Sequence, residues 1–186
     1  MADIWLMRHA HYEGHLPGHH AHPDARLSDK GRAQARRAAR SLPHGIASVI
    51  SSAMPRAQET AEIICQHTGL PLIAASDIFS EWRAPTSLLG KGPTDYPASY
   101  RTWREHRLVR PNLRYEDGET LLELHHRATG GASLLILTAH SGGVLLVSHT
   151  IFLGVLTRLH EGPVSFRNAI IQSWGFVERN RASVLS

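Results

Sequence analysis

The chain has 186 residues and a mass of 20.6 kDa, with 42% hydrophobic and 19% charged residues; a domain of this size buries roughly 70% of its unfolded surface, so a disordered or low-complexity chain is excluded. The net charge of +4, without basic runs interleaved with aromatics, does not describe a nucleic-acid surface, and the single Cys65 excludes an intrachain disulfide framework and a cysteine zinc site. The cations are skewed to eighteen arginines and fourteen histidines against two lysines, a set suited to anions but more simply produced by coding bias.

Residues 1–7 hold Asp3 and no basic residue ahead of their apolar stretch, so no secretory leader is expected and the cytoplasm is the default location. Residues 4–7 read as a buried strand ending at Arg8-His9, and the Gly-, Pro- and His-rich residues 12–23 as loop. Ser28 can cap a helix over 29–42, which Pro43-His44-Gly45 stops. A second strand at 47–51 precedes a helix over 55–67 that Pro55 opens and Gly69 closes. A third strand is expected at 72–75, then an excursion over about 78–117 with a helix near 98–107, and a short helix over 119–128. The continuous apolar run 133–138 is predicted to be a strand ending at His140, followed by a buried helix over 145–159 and a closing strand or hairpin over 169–177. Residues 132–156 tempt a membrane-spanning reading, but their Ser, Thr and His residues and Gly-Gly pair fit a buried strand and helix better. Alternating strands and helices predict one α/β domain over 1–186, a three-layer sandwich around a mostly parallel sheet, with a cap-like insertion at about 78–117.

Ligands of such sheets bind beyond the carboxyl ends of the strands. Arg8 and His9 fall there, an arginine fork beside a histidine held by a rigid strand. Arg56 lies in the first turn of the 55–67 helix, where free N–H groups favour an anion. His140, Ser141 and the Gly142-Gly143 pair are expected to supply a further strand end and helix start. Two arginines and two histidines at one sheet edge would form a pocket for a dianion. His15, His19, His20 and His22 lack metal-ligand spacing and read as a solvated or substrate-facing loop; His149 reads as a packing or capping residue.

These motifs resemble, in order and over nearly the whole chain, those of the histidine phosphatase superfamily, also called phosphoglycerate mutase-like. The opening Leu6-Met7-Arg8-His9-Ala10, the helix start Leu27-Ser28-Asp29-Lys30-Gly31 with Gln34-Ala35, the element Ser51–Ala61 and the segment Thr138-Ala139-His140-Ser141-Gly142-Gly143-Val144 carry the resemblance, with Asn168-Ala169-Ile170 as the closing strand. Ala10 stands where the family has glycine, His11-Tyr12 replace an acidic and a hydroxyl residue, and His15 falls where an asparagine often meets phosphate. The 119–129 helix is shorter than the family's long helix.

The resemblance implies two-step phosphoryl transfer through a phosphohistidine on His9. Arg8, Arg56 and His140 would hold the phosphoryl oxygens, with the Ser141 N–H and His15 beside them, and Glu81 would be the acid, with Asp77 its competitor. A carboxyl next to Trp82 is expected to hold its proton more readily. The expected activity is hydrolysis of small phosphorylated metabolites without metal or cofactor and with neither nucleic acid nor membrane as partner; monomer and homodimer stay open. Phosphoglycerate mutase-type activity, protein-phosphohistidine phosphatase activity and a non-catalytic phosphate-binding protein are the alternatives.

Overall fold

The computed structural model describes residues 3–159 and 178–180. Strand β1 (Ile4–Arg8) leads through a long loop to helix α1 (Asp29–Ala39), whose cap is the Ser28 hydroxyl accepting the Gly31 N–H. Strand β2 (Ile46–Ser52) feeds helix α2 (Pro55–Thr68), with proline in its first turn, and strand β3 (Leu72–Ser76) follows. Three 3-10 turns and helix α3 (Ala98–His106) then lead to helix α4 (Leu121–Ala139), strand β4 (Gly143–Ser148), helix α5 (Thr150–Leu156) and strand β5 (Glu178–Asn180). The sheet order is β3-β2-β4-β1-β5, with the first four strands parallel and β5 antiparallel to β1. The molecule is α/β, as the alternating pattern predicts. The expected strand over 169–177, and Asn168-Ala169-Ile170 within the resemblance, lie outside the described residues.

Strand alternation divides the core. Ile4, Leu6, Ile50, Val144 and Leu146 face α4, α5 and the aromatics of α3, whereas Met7, Val49, Leu145 and Val147 face Ala39 of α1 and Ala57, Ala61 and Ile64 of α2. Leu145 and Leu146 are both fully buried, one toward each layer, each worth roughly 1.5–3 kcal/mol of apolar transfer. Among the described residues no helix is long and apolar enough to cross a membrane.

The predicted 133–138 strand is corrected: these residues continue α4, and the predicted 145–159 helix divides into β4 and α5. Helix α4 begins in a capping box, Thr120 Oγ1 accepting the Glu123 N–H and the Glu123 carboxylate accepting the Thr120 N–H. Its buried residues Leu121, Leu124, Ala128, Gly131, Ala132, Leu135 and Ala139 recur at three- and four-residue spacing to the last turn, a helical stripe that a short window hides. Gly142, at φ 140°, turns the chain into β4. The helix before the late strand is therefore long, and the apparent shortening over 119–129 disappears.

Among the described glycines, Gly31 has the closest backbone approach. A Cβ there would lie 1.9 Å from the His11 carbonyl oxygen, against backbone that is itself tied down: the His11 N–H donates to Gln34 Oε1 at 3.0 Å and the Ser28 N–H to the His11 carbonyl at 3.1 Å. Gly31→Ala is expected to cost at least about 2 kcal/mol in urea unfolding; unchanged stability would contradict this packing.

Candidate active site

Parallel register sets the site. Arg8 pairs with Ser148 across β1 and β4, and the His9 N–H donates to the Ser148 carbonyl at 2.9 Å, so the residues that leave the two strands, His9 and His149, emerge side by side. Their rings are both buried, with centroids 4.9 Å apart. From β2 and α2, Arg56 reaches the same point, its Nε donating to His9 Nε2 at 3.3 Å.

The chemistry of His9 follows from its two contacts. Nδ1 lies 2.8 Å from the Ala10 carbonyl oxygen, which only accepts, so Nδ1 carries the proton. Nε2 is then the lone-pair nitrogen, and it accepts from Arg56. Burial, together with the Arg56 and Arg8 charges, holds the His9 pKa well below the ordinary histidine value. The result is a neutral imidazole with one defined nucleophilic nitrogen.

Arg56 is itself buried, which lowers its pKa. Its Nη1 donates to the carbonyls of His22 and Pro23 at 3.2 Å each, and its guanidinium carbon sits 5.3 Å from the Tyr12 ring centroid. The motif around Arg56 has a structural reason. Thr60 Oγ1 donates to the Arg56 carbonyl and accepts the Ala10 N–H at 3.0 Å, tying the strand end to α2, while the Glu59 carboxylate accepts the Leu27 N–H and an Arg26 N–H. Ala10 has no positive φ, so the glycine expected there is not required. The Arg8 Nε is buried with no hydrogen-bond partner among the described residues, and the Arg8 charge acts on His9, His15, Tyr12 and His149. The His15 ring packs against Tyr12 and His11 at 4.9 and 5.2 Å, and burial plus Arg8 lowers its pKa.

Glu81 also lies near this group, its charge bearing on Arg56 and Tyr12. Its Oε1 accepts the N–H groups of Trp82 and Phe152 at 2.9 and 3.0 Å, and its Oε2 accepts the Ile151 N–H at 3.2 Å, so the carboxylate is seated on the first turn of α5. The Trp82 indole is elsewhere, stacked on Trp103 with its Nε1 donating to the Glu119 carbonyl; backbone N–H groups, and not the indole, hold the Glu81 carboxylate. Asp77 is exposed and accepts from Ser80 Oγ at 3.4 Å.

His140 and Ser141 are not brought to the site. His140 is the exposed C-cap of α4, its Nδ1 donating to the Ile136 carbonyl at 2.7 Å, and the Ser141 N–H closes the same helix on Thr138. Both precede β4, whose six residues put them on the order of 20 Å from His9. The histidine at the strand end is His149. Its Nε2 lies 2.8 Å from Ser52 Oγ, its Nδ1 is buried without a partner among the described residues, and burial with the neighbouring His9, Arg56 and Arg8 lowers its pKa well below the ordinary value. The signal in the sequence was Val144-Leu145-Leu146-Val147-Ser148-His149, an apolar run that one polar residue separates from a histidine, as Arg8 separates Ile4–Met7 from His9. Within the His-rich loop, His20 packs against Trp82, Tyr96 and Tyr100, where burial and Arg104 push its pKa down to about 4. Among the described residues no group of three His, Cys, Asp or Glu side chains is arranged to hold a metal ion.

The family model of the histidine phosphatase superfamily, branch 1, matches residues 4–173. The chain belongs to this superfamily. A curated relative, a probable phosphoglycerate mutase GpmB of Cronobacter sakazakii, is 28% identical over 160 residues, 84% of this chain and 73% of that one. Among solved structures, the alpha-ribazole phosphatase of Shigella flexneri superposes with a TM-score of 0.76 at 20% identity, covering 93% of this chain and 87% of that one. A mycobacterial glucosyl-3-phosphoglycerate phosphatase complexed with VO3 gives a TM-score of 0.70 at 20% identity, covering 89% and 83%. The histidine phosphatase fold thus spans β1 to α5.

Two buried neutral histidines make stability depend on pH. Their folded pKa values lie below the unfolded value near 6.5, so the unfolded chain binds more protons below that pH and stability falls as pH drops. Urea unfolding is expected to lose about 1.4 kcal/mol per pH unit for each histidine that stays neutral, beginning near pH 6.5. His149→Gln should flatten the slope; an identical slope would contradict the burial of a neutral ring at 149.

Proposed function

We propose that the chain is a phosphomonoesterase acting on small phosphorylated metabolites through a phosphohistidine, without a metal ion. The observation that carries this reading is the His9 ring, held neutral by burial and fixed by Ala10 with its Nε2 lone pair against the Arg56 guanidinium. In the first step a proton of the bound phosphate monoanion passes to the Glu81 carboxylate, the Nε2 lone pair bonds to phosphorus, the bond from phosphorus to the ester oxygen breaks, and Glu81 hands that proton to the leaving oxygen. In the second, Glu81 takes a proton from water, the water oxygen bonds to phosphorus, and the N–P bond breaks, restoring His9. Arg8, Arg56, His149 and His15 would offset the charge spread over the equatorial oxygens, the positioning and electrostatic work that dominates phosphoryl transfer. Two buried polar atoms, Arg8 Nε and His149 Nδ1, would find partners in those oxygens. His149 takes the role first expected of His140.

The names of the relatives support the same chemistry: two are phosphatases and one is a probable mutase. A mutase would pass the phosphoryl group to a hydroxyl in place of water, and product analysis separates the two, free phosphate marking the phosphatase.

The protein is expected to hydrolyse p-nitrophenyl phosphate in EDTA and to be inhibited by vanadate. His9→Ala should abolish both turnover and the acid-labile phosphoprotein. His149→Ala should lower kcat/KM roughly a hundred- to a thousandfold, while His140→Ala leaves it unchanged. An EDTA-abolished activity, or a His9→Ala protein that still turns over, would overturn the reading.

A further inference from the structure

The loop that carries Glu81 is tied to β4 by the Ser148 hydroxyl, which donates to the Phe79 carbonyl at 2.6 Å, and to α4 by an arginine. Arg127, on α4, donates through Nη1 to the carbonyls of Ile78 and Ser80 at 3.1 and 2.6 Å, and through Nη2 to the carbonyl of Glu81 itself at 3.2 Å. The same guanidinium meets Glu119 as a two-pronged pair, Nε to Oε1 and Nη2 to Oε2, both at 2.8 Å. Glu119 extends the grip along the loop. Its Oε2 accepts the Arg83 N–H, its own N–H donates to the Arg83 carbonyl, and its carbonyl accepts the Trp82 indole N–H at 2.7 Å. Glu119 is nearly buried and Arg127 keeps 20% of its side-chain exposure. The Arg127 guanidinium also lies 5.2 Å from the ring centroid of Phe152, the residue whose N–H seats the Glu81 carboxylate.

Buried ion pairs contribute little net stability against a well-packed apolar replacement. The pair here does something such a replacement would not: it fixes the backbone on both sides of one carboxylate. Residues 78, 80, 81, 82 and 83 are all tied to Arg127 or Glu119, and the Glu81 charge bears on Arg56 and Tyr12 of the group around His9. A carboxyl that must meet a leaving oxygen within hydrogen-bond distance is sensitive to displacements of about 1 Å, which cost on the order of a hundredfold in rate.

We infer that Arg127, clamped by Glu119, is a positioning residue for Glu81, setting the backbone from which its carboxyl reaches the N–H groups of α5. The inference rests on the reading of Glu81 as the proton donor, and its test separates the two. The readout is the ratio of kcat/KM for p-nitrophenyl phosphate to that for phenyl phosphate, measured on one preparation so that any loss of folded protein cancels. Phenolate is the poorer leaving group and depends more on a proton donor. Glu81→Gln should raise the ratio by at least tenfold (order of magnitude). Arg127→Lys, which keeps the charge but not the fork, and Glu119→Gln should each raise it by about tenfold. Arg127→Lys should add nothing to the ratio in the Glu81→Gln background. An unchanged ratio in Arg127→Lys and Glu119→Gln, with the ratio raised in Glu81→Gln, would reduce the pair to a structural clamp and overturn the inference. An unchanged ratio in Glu81→Gln would overturn the donor reading and the inference with it.

Discussion

Burying one imidazole beside two guanidinium groups constrains everything around it. His9 cannot take up a proton there without placing a buried cation against Arg56 and Arg8, so it stays neutral. With Nδ1 committed to the Ala10 carbonyl, the lone pair is left on Nε2. Arg56 Nε–H faces that lone pair, and the cations that keep the ring neutral are also those that would draw a phosphoryl dianion to it. In the proposed reaction no separate base is needed to prepare the nucleophile, because the tautomer is set by backbone before any substrate arrives.

The sheet makes this arrangement rigid. The pairing of Arg8 with Ser148 and the bond from His9 N–H to the Ser148 carbonyl place the two histidines side by side at one edge, and Thr60 anchors the residue after His9 to α2. Around this fixed centre, loops are held by side chains that bond main-chain groups: Glu59 ties residues 26–27, Arg127 the carbonyls of 78, 80 and 81, and Ser148 the carbonyl of 79. Charged residues thus act here on backbone carbonyls and N–H groups as much as on one another, which fits the large arginine complement better than a diffuse affinity for anions.

Much of this was legible because it is local. Arg8-His9 after an apolar strand, Ser28 as a cap and Arg56 inside a proline-opened helix each declare themselves within a few residues. The late histidine was not legible in the same way. Residues 133–138 are apolar enough for a strand and are followed by His140-Ser141-Gly142-Gly143, so local pattern and motif agreed on a histidine that does not stand at the strand end. Only the stripe from Leu121 to Ala139, anchored by the Thr120–Glu123 box, shows that the helix continues and that the strand ends at His149. The hold of Arg127 on the Glu81 loop was beyond sequence reading altogether, since it joins residues 46 to 49 positions apart through main-chain carbonyls.

The state of the His9 ring can be observed directly by NMR of the histidine-labelled protein with nitrogen-15. The account predicts one buried ring with Nδ1 protonated and Nε2 bare, assigned to residue 9 by its loss in His9→Gln, and unchanged as the pH falls from 8 to below the ordinary histidine pKa of about 6.5. A His9 ring protonated on Nε2, or one that titrates near that value, would contradict it.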